Sequence, residues 1–130
     1  MPARLALATL VVADYDAAIS WFVDRLGFTL AEDRAAGEGK RFVVVVPPAG
    51  GAGLLLARAA DGVERRALGA QAGGRVAFFL ETDDFARDHA AMTEKGVRFL
   101  EAPRREGYGT VAVFLDIAGN RWDLIERSGR

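Results

Sequence analysis

The chain contains no cysteine, one histidine and only two lysines, Lys40 and Lys95, among its 130 residues. Without cysteine there are no disulfides, no thiolate nucleophile and no zinc or iron–sulfur site built on sulfur ligands. An excess of one charge sign is also missing: 17 Lys plus Arg stand against 18 Asp plus Glu, for a formal net charge of −1. Such a balance gives no electrostatic basis for binding nucleic acid or an anionic membrane surface. No stretch is uniformly apolar enough to span a bilayer. The opening Met1-Pro2-Ala3-Arg4 lacks the arrangement of a signal peptide. These absences lead to the expectation of a cytoplasmic protein with no nucleic-acid and no membrane partner.

What is present is an internal repeat. Shifting residues 10–58 by sixty-nine positions lays them without a gap on residues 79–127, so that Asp14 meets Asp83, Gly27 meets Gly96, Glu32 meets Glu101, Val44 meets Val113 and Leu55 meets Leu124. A long unit present only twice is not a solenoid, which stacks three or more short ones. At this length one core suffices. Residues 1–130 are therefore expected as a single domain, with module one at about 4–58, a linker at 59–74 and module two at about 75–127.

Within module one, the apolar, β-branched run Leu5 to Ala13 reads as a buried strand ended by Asp14-Tyr15-Asp16. Ala17, Ala18, Trp21, Phe22 and Leu26 recur at helical spacing, Asp14 or Asp16 offers a cap, and Gly27 offers a left-handed stop. Strands follow at Phe28 to Glu32, Arg41 to Val46 and Leu54 to Ala57, separated by glycine- and proline-bearing turns. Module two repeats the grammar: a strand at Val76 to Glu81, a helix from about Asp84 to Lys95, then strands near Val97 to Leu100, Thr110 to Asp116 and Arg121 to Glu126. Each module is β-α-β-β-β. The linker holds room for a helical turn at Val63 to Leu68.

Paired modules of this kind, with Asp14 after the first strand, Trp21-Phe22 and Leu26-Gly27-Phe28 in the helix, and the run Asp116-Ile117-Ala118-Gly119-Asn120-Arg121-Trp122-Asp123-Leu124-Ile125, resemble the vicinal oxygen chelate superfamily of glyoxalases, bleomycin-resistance proteins and dioxygenases. The resemblance implies an α+β fold in which two tandem βαβββ modules curl into half-barrels around a ligand cleft, with the helices outside. It also implies a homodimer. Metal enzymes of that superfamily use a His on each first strand and a carboxylate on each last strand. Here those positions fall on Leu7, on Val76 or Arg75, on Leu54 or Leu55, and on Asp123. Only one acid survives, so neither a metal site nor a cofactor is expected.

The candidate site residues follow from that comparison. Asp123 is the candidate catalytic acid or base. Arg75, on the strand that would face it, is a candidate clamp for a ligand carboxylate, against a plainer role in a surface ion pair. Tyr108, in the loop before Thr110, offers a phenol at the cleft mouth. Trp122, Phe78, Arg41 and Thr9 complete the candidate ligand-binding set, with ordinary sheet packing as the alternative. His89 reads as a packing or capping residue, and Gly119-Asn120 as a hairpin turn of positive φ. Three functions compete: a metal-independent cleft binding a small apolar or aromatic molecule, a metal-dependent lyase, isomerase or dioxygenase, and a metal-free enzyme using Asp123. Whether the chain is an enzyme stays open at this point.

Overall fold

Each half of the sequence folds as its apolar runs and breakers dictate. The computed structural model describes residues 1–129. The elements are β1 (Leu7–Val12), α1 (Tyr15–Leu26), β2 (Thr29–Ala35), β3 (Arg41–Val46), β4 (Gly53–Arg58), α2 (Gly62–Ala67), β5 (Val76–Glu81), α3 (Phe85–Glu94), β6 (Arg104–Glu106), β7 (Gly109–Leu115) and β8 (Arg121–Arg127). Contacts divide the chain into two compact units, Met1–Leu68 and Gly69–Arg130. Each unit holds one open four-stranded mixed sheet, ordered β1-β4-β3-β2 in the first and β5-β8-β7-β6 in the second. In both, the first strand runs parallel to the last and the remaining pairs are antiparallel. The α+β class and the two tandem βαβββ modules are thus present.

Helix α1 begins where the Asp14 side chain accepts the Ala17 N–H at 2.8 Å, an N-cap that satisfies one of the free amides of the first turn. It ends at Gly27, whose φ of 70° is the left-handed conformation glycine adopts without strain. Its buried stripe of Tyr15, Ala18, Trp21, Phe22 and Leu26 packs on β2, β3 and β4, as an amphipathic helix on a sheet does. Phe22 is fully buried. Full burial of a side chain of that size contributes roughly 2 kcal/mol. Helix α3 is capped by Asp84, which accepts from Arg87 N–H, while its neighbour Asp83 pairs with the Arg87 guanidinium at 2.9 Å.

The modules are not related by one fixed shift. The N-caps Asp14 and Asp84 lie seventy positions apart, so Asp14 corresponds to Asp84 rather than to Asp83. Beyond the caps the equivalence drifts. Arg58 lies over the ring of Tyr15, the first residue of α1, and Glu126 accepts the N–H of Phe85, the first residue of α3, which sets those two β-strand positions sixty-eight apart. Register shifts mark both modules: one between Val76 and Phe78 in β5, ahead of the second cap, and one between Leu30 and Glu32 in β2, beyond the first.

The segment expected as a strand at Val97 to Leu100 makes only an isolated bridge, Phe99 to Phe114. There the Glu101 carboxylate takes the Val113 N–H at 3.0 Å in place of a main-chain carbonyl. Pro103, which has no N–H to give, then delays regular pairing until β6. In module one the corresponding strand runs longer than expected, to Ala35, with its own register shift between Leu30 and Glu32.

The turn into β8 is held by a buried carboxylate. Asp116 is 5% exposed and accepts from the N–H groups of Ala118 (2.9 Å) and Asn120 (3.0 Å), from Asn120 Nδ2 (3.1 Å) and from the indole Nε1 of Trp122 (2.9 Å). Asn120 in turn accepts the Gln71 N–H at 3.1 Å. Gly119 alone in this turn has positive φ; Asn120 does not, and its amide is a buried structural link. Replacing Asp116 with Ala strands several buried donors at once. We expect Asp116→Ala to lower unfolding free energy by about 3 kcal/mol, measured by urea denaturation.

Candidate functional site

Side chains alternate along a strand, so neighbours in β8 serve opposite faces of the second sheet. Trp122 faces α3 and packs against Phe78 (ring centroids 4.7 Å apart) and Phe114 (5.6 Å). Phe99 continues the cluster, at 5.6 Å from Phe114 and 4.3 Å from His89, which stacks on Phe85 at 5.3 Å. His89 is therefore part of an aromatic wall between helix and sheet.

The opposite face carries a different row. Phe79, Asp123 and Val113 are registered partners across β5, β8 and β7. They border a cavity of about 560 Å³ whose apolar lining is completed by Val76 and Leu100. Arg75 and Arg121 lie at the end where β5 and β8 begin, and Glu101 lines the side next to Val113. That Val76 and Phe79 both line the cavity, three positions apart, follows from the irregularity at Ala77, which reverses the alternation between them. In the first sheet the registered row containing Thr9 is Thr9, Leu55 and Val44, with leucine where the second has its acid.

Asp123 is 8% exposed, and its Oδ1 is buried with no hydrogen-bond partner among the described residues. Burial pushes its carboxyl above the usual carboxylate range; the positive charge of Arg104 opposes this, and the negative charge of Glu101 adds to it. Arg104 gives Asp123 little relief because it is already engaged. Its Nε donates to Glu101 at 2.9 Å and its NH1 to Glu106 at 2.7 Å. The Arg104 guanidinium and the Val113 N–H hold the Glu101 carboxyl low and ionised.

The structure brings together Asp123 and Arg75 from the candidate set. Trp122 and Phe78 pack on the other face of the sheet, in the aromatic wall. Tyr108 is half exposed beside Arg104 and contributes to holding that guanidinium charged, outside the cavity lining. Arg41 and Thr9 belong to the first unit, on opposite faces of its sheet by alternation. There Arg41 is tied to Asp33 by two hydrogen bonds (3.1 and 2.7 Å) and to Asp16 at 2.9 Å. Phe79, Leu100, Glu101, Val113 and Arg121 line the cavity without having been singled out. One signal was available for Phe79: Trp122 and Asp123 are adjacent, so only one of them can face a ligand, and the partner of Asp123 goes with it.

The donors required for a metal of the vicinal-oxygen-chelate type are not assembled. Among the described residues no three His, Cys, Asp or Glu side chains converge. The only carboxylates lining the cavity are Asp123 and Glu101, and Glu101 is held by Arg104 and Val113. These residues do not fit such an ion. No helix is long and apolar enough to cross a membrane.

Comparison with known proteins extends over nearly the whole chain. The family model described as the Glyoxalase/Bleomycin resistance protein/Dioxygenase superfamily matches residues 4–124. An uncharacterized protein of Shewanella frigidimarina (strain NCIMB 400) is 51% identical over 119 residues, spanning 90% of this chain and 88% of that one. The crystal structure of UcmS2 is similar with a TM-score of 0.84 and 26% identity, over 96% of this chain and 98% of that chain. TnmS3, described as an antibiotic binding protein from Streptomyces sp. CB03234, has a TM-score of 0.78 and 27% identity, over 97% of each chain.

The raised Asp123 pKa has a definite sign for stability. The folded chain holds this proton to higher pH than the unfolded chain does. Stability is therefore lost as pH rises from the ordinary carboxylate value through the raised one. Asp123→Asn removes that loss. We expect the variant to melt above the parent protein near neutral pH, with the difference shrinking toward about pH 3, where both side chains are uncharged; scanning calorimetry across pH checks this.

Proposed function

The chain belongs to the Glyoxalase/Bleomycin resistance protein/Dioxygenase superfamily, and we propose that within it this protein binds a small aromatic or otherwise apolar molecule in a cleft that requires no metal ion. The observation that carries the reading is the buried, unpartnered Oδ1 of Asp123, set in a cavity whose other walls are Phe79, Val76, Leu100 and Val113. A polar atom buried without a partner costs about 1–3 kcal/mol. A ligand that supplies the missing hydrogen bond recovers that cost on binding. The ring of Phe79 is 66% exposed and offers a flat surface for stacking. The likeness to a protein described as antibiotic binding supports a small-molecule ligand. Asp123 and Glu101 alone do not make the ligand set that a catalytic divalent ion needs.

A second reading is favoured by the shielding of Asp123 from water. A carboxyl whose pKa is raised by burial is suited to exchange a proton with a bound molecule, so the same cleft supports metal-free acid–base catalysis at Asp123. The two readings share one site and differ in whether the ligand leaves changed. The single-domain organisation, the homodimer and the cytoplasmic location go with both as part of the proposal.

The test uses 9-anthracenemethanol, an uncharged planar probe, followed by its fluorescence. Binding is expected to persist after treatment with EDTA, and Phe79→Ala is expected to weaken it about tenfold, equivalent to ~1.4 kcal/mol, without lowering the melting temperature. Binding that appears only on adding Mg²⁺, Mn²⁺ or Zn²⁺ would overturn metal independence. Absence of binding under every condition would overturn the reading as a whole.

A further inference from the structure

Three arginines of this protein are each matched by two acids. Arg41 is held by Asp16 and Asp33, Arg87 by Asp83 and Asp88, and Arg104 by Glu101 and Glu106. The two arginines that line the cavity have no such match. The Arg75 side chain has no hydrogen-bond or ion-pair partner among the described residues, and Arg121 makes only a 3.3 Å contact from NH1 to the carbonyl oxygen of Gly74. Both are exposed, and they stand side by side because Arg121 is the registered partner of Val76, the residue after Arg75. The cavity's fixed negative charge, Glu101, is matched by Arg104, and Asp123 lies too deep to answer the guanidiniums at the rim. The lining therefore carries two uncompensated positive groups at one end and an aromatic platform at the other.

We infer that the ligand is an anionic aromatic compound, a planar ring system lying on Phe79 with a carboxylate or chemically equivalent anion held between Arg75 and Arg121. The inference rests on the proposed small-molecule reading and narrows its ligand class. The spacing suits it. Arg121 and Asp123 are two residues apart on one strand and share a face, so their Cα atoms are separated by ~7 Å, and Phe79 sits beside Asp123 in the row. A ring stacked on Phe79 thus reaches Asp123 at one edge and sends its anionic substituent toward the paired guanidinium forks, whose planar donors match a carboxylate. The uncharged part of the ligand meets Val76, Leu100 and Val113.

The experiment compares 9-anthracenecarboxylate with the uncharged 9-anthracenemethanol in low-salt buffer, on the full chain and on an Arg75→Gln/Arg121→Gln double variant. The carboxylate is expected to bind at least about tenfold more tightly than the alcohol, to lose that advantage in the double variant and to weaken with added salt. The alcohol should be insensitive to both changes. Equal binding of the two probes to the parent protein would overturn the anionic class while leaving the aromatic cleft standing. A carboxylate preference that survives in the double variant would overturn the assignment to Arg75 and Arg121. Binding of neither probe would overturn the cleft reading and this inference together.

Discussion

The carboxylate of Asp116 is the constraint on which the geometry of the second module depends. It gathers two turn amides, the Asn120 side chain and the Trp122 indole around one buried side chain. A carboxylate that accepts several N–H bonds is stable inside a protein; one that accepts none is not. By fixing the indole, Asp116 fixes which face of β8 is turned to α3, and alternation then leaves Asp123 on the other. The satisfied acid at the turn thereby positions the unsatisfied one seven residues later.

The division of labour between the two faces follows from the same arrangement. One face is sealed by aromatic rings from Phe85 through His89, Phe99 and Phe114 to Trp122, so that the helix has a rigid bed. The other is left with a half-lined hollow in which charge is arranged unevenly. Arg104 and Glu101 neutralise each other at one side, Asp123 is pressed toward its neutral form, and among the described residues the arginines at the strand ends have no acid partner. The first module uses the same strand order but places Thr9, Leu55 and Val44 in the equivalent row, so that row carries no carboxylate.

Much of this was legible in the residues. The β-α-β-β-β order, both N-cap regions, the glycine stop at Gly27 and the helical turn in the linker follow from apolar periodicity, cap chemistry and repetition, whereas Asp123 and Arg75 are marked by the resemblance to the superfamily's ligand positions. What escaped is local and physical. A gapless repeat hides the extra residue at Ala77, which is why it marks Phe78 rather than Phe79 for the cleft. Glu101 acting as a main-chain substitute for Val113 cannot be read from composition, and it displaced the sixth strand to Arg104. Asn120, which looked like a turn residue of positive φ, instead has its amide buried against Asp116. Tyr108 is engaged with Arg104, and Arg41 with Asp16 and Asp33, outside the cavity.

The Phe78-Phe79 doublet beside the irregular Ala77 has a consequence for how this strand tolerates change. Side chains of adjacent residues point to opposite sides, so a slip of β5 by one residue would ordinarily exchange an apolar contact in the core for a polar one in the cleft. Here a slip in either direction still leaves one phenyl ring on each side of the sheet, though not opposite the same partners. Insertion or loss of a residue near position 77 would consequently re-aim the arginine at the strand's start while leaving the ring on each face in place. The charge carried at this end of the cavity is separable from the shape of its lining, and the former is free to drift over generations without the helix losing its footing.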